Sequence, residues 1–146
     1  MSDAPAIGRI AEIRDLVYRK FGIYISGEKQ ENLVLKLEKV LRKENLSGTD
    51  ELYARLMAND TRVVASFIQA ITTGHTFFFR EPAHFSKLVS YIRDMQLRDF
   101  RIWCAASSSG EEPYTIVMTL LEAGINNFHL IASDLNKAVL NQFNRG

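Results

Sequence analysis

A run of mostly apolar residues, Phe100-Arg101-Ile102-Trp103-Cys104-Ala105-Ala106, passes directly into Ser107-Ser108-Ser109-Gly110 and then into Glu111-Glu112-Pro113-Tyr114. The run predicts a strand over 100–106, and the carboxylate pair with its proline opens a helix predicted over 112–123 and ended by Gly124. A second strand is predicted over 128–133 and a further helix from about Asn136. Strand, helix, strand and helix in that order imply parallel strands joined by a right-handed crossover. The second half is therefore α/β, and its small-residue turn sits at the carboxyl end of a strand, where open α/β sheets place their ligands. Three serines and one glycine leave little side-chain bulk there, so a ligand can come close to the backbone.

The first half has a helical period instead. Ile7, Ile10, Ile13, Leu16 and Val17 recur at helical spacing until the pattern breaks near Gly22. A second helix is predicted from Glu28 to Lys43, with Leu33, Leu37, Val40 and Leu41 on one side. A short helix over Asp50 to Met57 and another from Thr61 to Ile71, capped by Asp60, complete a small all-α bundle.

Between the halves lies Thr72-Thr73-Gly74-His75-Thr76-Phe77-Phe78-Phe79-Arg80-Glu81-Pro82. Three consecutive phenylalanines cannot all face inward from one helix, which predicts a segment buried across a boundary between two units. Pro82 suits the first turn of a helix carrying Phe85, Leu88, Val89 and Ile92. The expected organisation is thus 1–72 helical, 73–99 a linker segment with its helix, and 100–146 the α/β part.

Of the 146 residues, 47% are hydrophobic, enough for one ordinary core or two small ones. The 18 Lys and Arg balance 17 Asp and Glu, so no overall charge favours nucleic acid or an anionic membrane, and neither partner is expected. The single cysteine, Cys104, excludes an internal disulfide and reads as a small hydrophobe in a buried strand, consistent with a reducing, cytoplasmic setting. Neither a signal peptide nor an apolar run of about 18 residues is found, so membrane insertion is not expected.

The loop's chemistry narrows its ligand. No lysine lies between Lys87 and Lys137 and Gly110 is the loop's only glycine, so both the phosphate-binding G-x-x-x-x-G-K-[ST] and the dinucleotide G-x-G-x-x-G patterns are absent. Two carboxylates at the helix start repel a phosphate. Asp134, at the end of the second strand, is placed to accept from both hydroxyls of a ribose. Glu112 suits an ammonium, and the planar fork of Arg80 suits a carboxylate. A nucleoside joined to an amino acid is S-adenosylmethionine.

The blocks Gly74-His75-Thr76-Phe77-Phe78-Phe79-Arg80-Glu81, Ala105 to Tyr114 and Ala132-Ser133-Asp134-Leu135, in this order, closely resemble the chemotaxis receptor methyltransferases of CheR type. The resemblance implies a small all-α domain followed by a Rossmann-like, class I S-adenosylmethionine-dependent methyltransferase domain, here truncated. It implies an enzyme, a protein-glutamate O-methyltransferase, with the cytoplasmic signalling domain of chemotaxis receptors as partner and S-adenosylhomocysteine as product. Carried over by position, Thr76 and Arg80 contact the methionine part of the cofactor, Glu112 is the acidic contact after the loop, with Glu111 and Gly110 beside it, and Asp134 holds the ribose. Family members often have an asparagine where Gly74 stands, so one side-chain contact is missing here. The family fold continues with further strands, so this chain corresponds to the front portion. That portion alone is expected to be inactive and to self-associate through exposed strands.

Lys29, Lys36 and Lys43, each two turns after the last, and Lys39 form a basic stripe on the second helix. The stripe is either a solvated face or, as the resemblance implies, a dock for acidic receptor helices. Other residues also keep two readings: Arg80 as a partner of Glu81 or Glu112, Asp134 as a helix cap, His75 as a polar loop residue. No metal site is expected from the histidine spacing, and no catalytic dyad is expected, since methyl transfer from a sulfonium needs none. A non-enzymatic receptor-binding or regulatory module retaining the helical domain and half the cofactor site is the alternative.

Overall fold

The computed structural model describes residues 8–26, 30–72 and 74–145. The chain divides into two compact units, one up to Thr73 and one from Gly74.

The first unit contains α1 (Ile10–Phe21), α2 (Gln30–Glu44), α3 (Thr49–Met57) and α4 (Thr61–Ile71). The apolar residues at helical spacing turn inward: Ile13, Leu16 and Val17 of α1, Leu33, Leu37, Val40 and Leu41 of α2, Leu52 and Leu56 of α3, and Val63, Phe67, Ile68 and Ile71 of α4 form one core. Gly22 ends α1 in the left-handed conformation its missing Cβ permits, at φ 69°, and its N–H reaches back to the Tyr18 carbonyl. The Asp60 carboxylate caps α4 by accepting from the N–H groups of Arg62 and Val63. Ile7 and Glu28, read as parts of the first two helices, lie outside the described residues.

One charged group is built into this core. Glu44, at the end of α2, is buried and accepts from the Ser66 hydroxyl and the Arg62 guanidinium of α4. The serine and arginine hydrogen bonds hold its carboxyl below the usual glutamate range, against the opposing effect of burial.

The second unit contains α5 (Pro82–Asp94), β1 (Phe100–Ala105), α6 (Glu111–Glu122), β2 (Phe128–Ser133) and α7 (Lys137–Phe143). β1 and β2 are parallel and paired from Phe100 opposite Phe128 to Ala105 opposite Ser133, so both strands end at the same level. Phe85 and Ile92 of α5, Cys104 of β1 and Ile116 and Leu120 of α6 form the core, with Phe100, Ile102, Phe128 and Leu130 packed on it from the sheet. The helix of the 73–99 segment thus shares its core with the strands. Alternation sends Trp103, 72% exposed, to the other face beside Ile131. The phenylalanine run departs from expectation. Phe77, Phe78 and Phe79 are 52%, 52% and 46% exposed instead of buried, because they lie on a non-helical turn where Phe77 meets only the ring of His75, in the same segment, and Phe79 the edge of Phe85.

A carboxyl held below its ordinary pKa adds stability that is full above the unfolded value and lost as pH falls through the folded value. Glu44→Gln is therefore expected to destabilise the helical unit by about 1–3 kcal/mol at neutral pH, with the deficit shrinking in acid. Urea unfolding read by far-ultraviolet circular dichroism should shift, while Trp103 fluorescence, which reports the other unit, should not.

Candidate functional site

Both strands of the second unit end in turns, and hydrogen bonds knit the turns together. The Ser107 N–H, two residues past the end of β1, donates to the Ser133 carbonyl at 2.9 Å. The Ser108 N–H then donates to Asp134 Oδ2 at 2.9 Å, and the Asn136 N–H donates to Asp134 Oδ1 at 2.8 Å. Ala106 at φ 60°, Ser108 at φ 50° and Gly110 at φ 108° are left-handed, so the chain turns sharply at every second residue between β1 and α6. A left-handed alanine and serine are costly, of order 1–3 kcal/mol each, and persist where surrounding bonds fix them. The Asp134 carboxylate is that bond for Ser108.

Gly110 caps α6 and is required twice over. Its φ disfavours any side chain, and a Cβ there would overlap the Phe143 ring of α7. That ring meets Tyr114 of α6 edge-on, with centroids 5.3 Å apart. Gly74 is different: a Cβ at this position would meet only Val139, at an ordinary 3.8 Å, so the asparagine common in the resembling family would be accommodated at its first carbon.

Glu111 and Glu112 begin α6 and have different surroundings. Glu111 is half-buried and accepts from the Ser109 hydroxyl at 2.8 Å, whereas Glu112 is exposed and accepts from the Cys104 thiol at 3.4 Å. Burial, with the Glu112 carboxylate adding to it, pushes the Cys104 thiol up to about 12. Cys104 is thus a buried, protonated thiol, in keeping with its reading as a small hydrophobe.

The segment before α5 supplies the other side. The Phe79 N–H donates to the Thr115 hydroxyl at 3.2 Å, and that hydroxyl donates to the Glu111 carbonyl at 2.6 Å. The segment carrying Thr76 and Arg80 is thereby fastened to the helix that begins with Glu111 and Glu112. Arg80 is exposed and donates from Nη1 to the His75 carbonyl at 3.2 Å. Among the described residues it forms no ion pair, so pairing with Glu81 or Glu112 does not account for it. Thr76 is half-buried. Thr115 and the Ser108 amide escaped the sequence reading, because their roles depend on partners far along the chain.

These residues fit S-adenosylmethionine. Among the described residues each Asp134 oxygen accepts from one backbone N–H and has a lone pair left over, as a ribose hydroxyl would require. Among the described residues Arg80 has four of its five donors uncommitted and Glu112 keeps one oxygen free of bonds. The hydroxyls of Ser107 and Ser108 are buried without a partner among the described residues, which marks the loop as a place where a further polar group completes the bonding.

The predicted lysine stripe is more committed than its spacing suggests. Lys36 Nζ donates to the Ile71 carbonyl at 3.3 Å, at the end of α4, and Lys43 Nζ donates to Gln69 Oε1 at 3.0 Å. Lys39 is exposed, with Leu35 and Arg42 exposed on the same helix, and Lys29 lies outside the described residues.

The chain thus combines an all-α unit with an α/β unit whose two parallel strands end at one level, their loops joined through the Asp134 carboxylate. Residues 9–72 match the family model described as CheR methyltransferase, all-alpha domain, and residues 74–146 match CheR methyltransferase, SAM binding domain. The chain belongs to the CheR methyltransferase family, and the cofactor of its second domain is S-adenosylmethionine. It is 34% identical to the chemotaxis protein methyltransferase of Salmonella typhimurium over 92% of this chain and 48% of that protein. It is 35% identical to chemotaxis protein methyltransferase 2 of Pseudomonas aeruginosa over 92% of this chain and 50% of that protein. It is 32% identical to the chemotaxis protein methyltransferase of Borreliella burgdorferi over 94% of this chain and 53% of that protein. The chain thus spans about half the length of the curated relatives it matches. No helix among the described residues is long and apolar enough to cross a membrane.

Gly110→Ala is expected to destabilise the second unit by at least about 1 kcal/mol, read as an earlier Trp103 fluorescence transition in urea. Adding Phe143→Ala removes the clash and should recover part of the loss. Equal destabilisation in the single and double variants would contradict the steric account.

Proposed function

We propose that this chain is the front portion of an S-adenosylmethionine-dependent protein-glutamate O-methyltransferase acting on the cytoplasmic signalling domain of chemotaxis receptors. The observation that carries this reading is the Asp134 carboxylate, tied to the Ser108 amide yet, among the described residues, retaining a lone pair on each oxygen beside the β1 loop. In this reading residues 1–72 form the receptor-facing domain, 73–99 bring Thr76 and Arg80 to the cofactor, and 100–146 form the first half of the cofactor domain.

Arg80 and Thr76 hold the carboxylate end of the amino-acid tail, while Glu112, with Glu111 and Gly110 beside it, takes the ammonium end. Asp134 fixes the ribose. The bound cofactor supplies a sulfonium-activated methyl, which an ionised glutamate takes in line as a neutral thioether leaves. An ionised acceptor has no proton to surrender, so the protein's task is orientation and exclusion of water. That its relatives are chemotaxis protein methyltransferases supports the receptor assignment.

Lys39, with Lys36 and Lys43 flanking it, offers a basic face of α2 to acidic receptor helices, while Lys29, seven residues before Lys36 in the sequence, lies outside the described residues. Such a surface contributes orientation and on-rate more than affinity.

Titration calorimetry with S-adenosylhomocysteine tests the cofactor site. Binding to the wild-type chain is expected to weaken by about ten- to a hundredfold in Arg80→Ala, the equivalent of a charge-assisted hydrogen bond of about 1.5–3 kcal/mol. Unchanged affinity removes Arg80 from the site, and transfer of labelled methyl to receptor fragments by a longer chain tests the substrate.

We further propose that copies of this chain associate along their strands. Among the described residues each strand of the two-stranded sheet has an unpaired edge, and Trp103 and Ile131 are exposed on its open face. Light scattering is expected to show mass rising with concentration, and a constant monomer contradicts this.

A further inference from the structure

We propose that Thr115 is a positioning residue for the cofactor tail, holding the Arg80 turn against the start of α6 through one buried hydroxyl. The inference rests on the proposed cofactor site and extends it to a residue that does not touch the ligand.

Thr115 is 0% exposed, so its hydroxyl exchanges no bonds with water. A threonine inside a helix commonly donates back to the carbonyl four residues earlier, a bond that asks for no partner beyond the helix. Here that bond is made, to the Glu111 carbonyl at 2.6 Å, and its direction fixes the hydroxyl proton. The oxygen's lone pairs are left to accept, and the Phe79 N–H of a segment 36 residues away fills one of them at 3.2 Å. The helix back-bond therefore sets the oxygen up as an acceptor, and the acceptor captures the turn.

The captured turn is an unfavourable one. Phe79 has φ 56° and Glu81 has φ 57°, so Arg80 stands between two left-handed residues that carry full side chains. For a bulky residue such as phenylalanine this conformation is a clear outlier, and it persists only where neighbours impose it. Two interactions hold Phe79: its amide on Thr115 and its ring edge against Phe85, with centroids 6.4 Å apart. The guanidinium bond to the His75 carbonyl closes the turn from the inside but does not tie it to another element. Among the described residues, the Phe79–Thr115 bond is the hydrogen bond that joins the 74–81 segment to α6.

The consequence is chemical. Arg80 and Glu112 are charged ends for a zwitterionic tail, and a tail of fixed length is held only if their separation is fixed. Thr115 registers one against the other, because its hydroxyl bonds the residue before Arg80 and the carbonyl of the residue before Glu112. Removing the hydroxyl while keeping the shape releases the turn without opening a cavity.

The test compares Thr115→Val, which lacks the hydroxyl, with Thr115→Ser, which keeps it, in the full chain. Hydrogen exchange at the Phe79 amide should be slow in the wild type and in Thr115→Ser and fast in Thr115→Val. S-adenosylhomocysteine affinity should fall roughly fivefold to tenfold in Thr115→Val, about the effect of one hydrogen bond, and return in Thr115→Ser. Combined with Arg80→Ala, the valine change should cost less than it does alone, since its effect passes through Arg80. A wild type that binds S-adenosylhomocysteine and a Thr115→Val variant that binds it equally, with Phe79 exchange unchanged, overturns the proposal and leaves the cofactor site standing. A wild type that binds none overturns both. Full additivity of the two substitutions also overturns it, because Thr115 would then act elsewhere.

Discussion

The bond from the Ser108 amide to the Asp134 carboxylate is the constraint on which the shape of the second unit's β1 loop, and the cofactor site proposed there, depends. Parallel strands paired from Phe100 opposite Phe128 bring two loop starts to one level, but a shared level does not give the loops a shape. A serine at φ 50° gives the β1 loop its shape, and a carboxylate on the neighbouring loop holds that serine. The same carboxylate retains the lone pairs that suit a sugar. In the proposed site, structure and recognition would share one side chain, so the bond that shapes the loop would also preorganise the sugar's ligand.

Packing beneath the loop serves the same end. Cys104 sits in the sheet's buried face directly before the turn, and its thiol hydrogen faces Glu112 on α6. Phe143 lies against Gly110 closely enough that the glycine cannot be replaced without a shift, and Tyr114 meets the Phe143 ring edge-on. Strand, turn and helix are thus each held by a neighbour. In the helical unit the corresponding fixed point is Glu44, whose hydrogen bonds to Arg62 and Ser66 tie α2 to α4.

Much of this is legible in the sequence, for local reasons. Helical spacing of Leu33, Leu37, Val40 and Leu41 places α2's buried face, and Asp60 before Thr61 marks the start of α4 to the residue. Small residues after a strand mark the ligand loop, and Asp134 stands out as the acid at the end of the next strand. Long-range relations stay hidden. Hydrophobicity alone makes the phenylalanine run look buried, yet a turn with two left-handed residues leaves its rings half outside. Lys36 and Lys43 look free because spacing shows a face, while their bonds to Ile71 and Gln69 depend on how α4 packs. Thr115 gives no signal at all, since a helical threonine acquires a role only when a distant amide reaches it.

The decisive experiment is a crystal structure of this chain with S-adenosylhomocysteine. The ribose hydroxyls are expected on the free lone pairs of Asp134 with the Ser108 amide bond kept, and the amino-acid tail between Arg80 and Glu112. Sugar bound away from Asp134, or a loop that abandons the Ser108 bond to admit it, would contradict the double role given to that carboxylate.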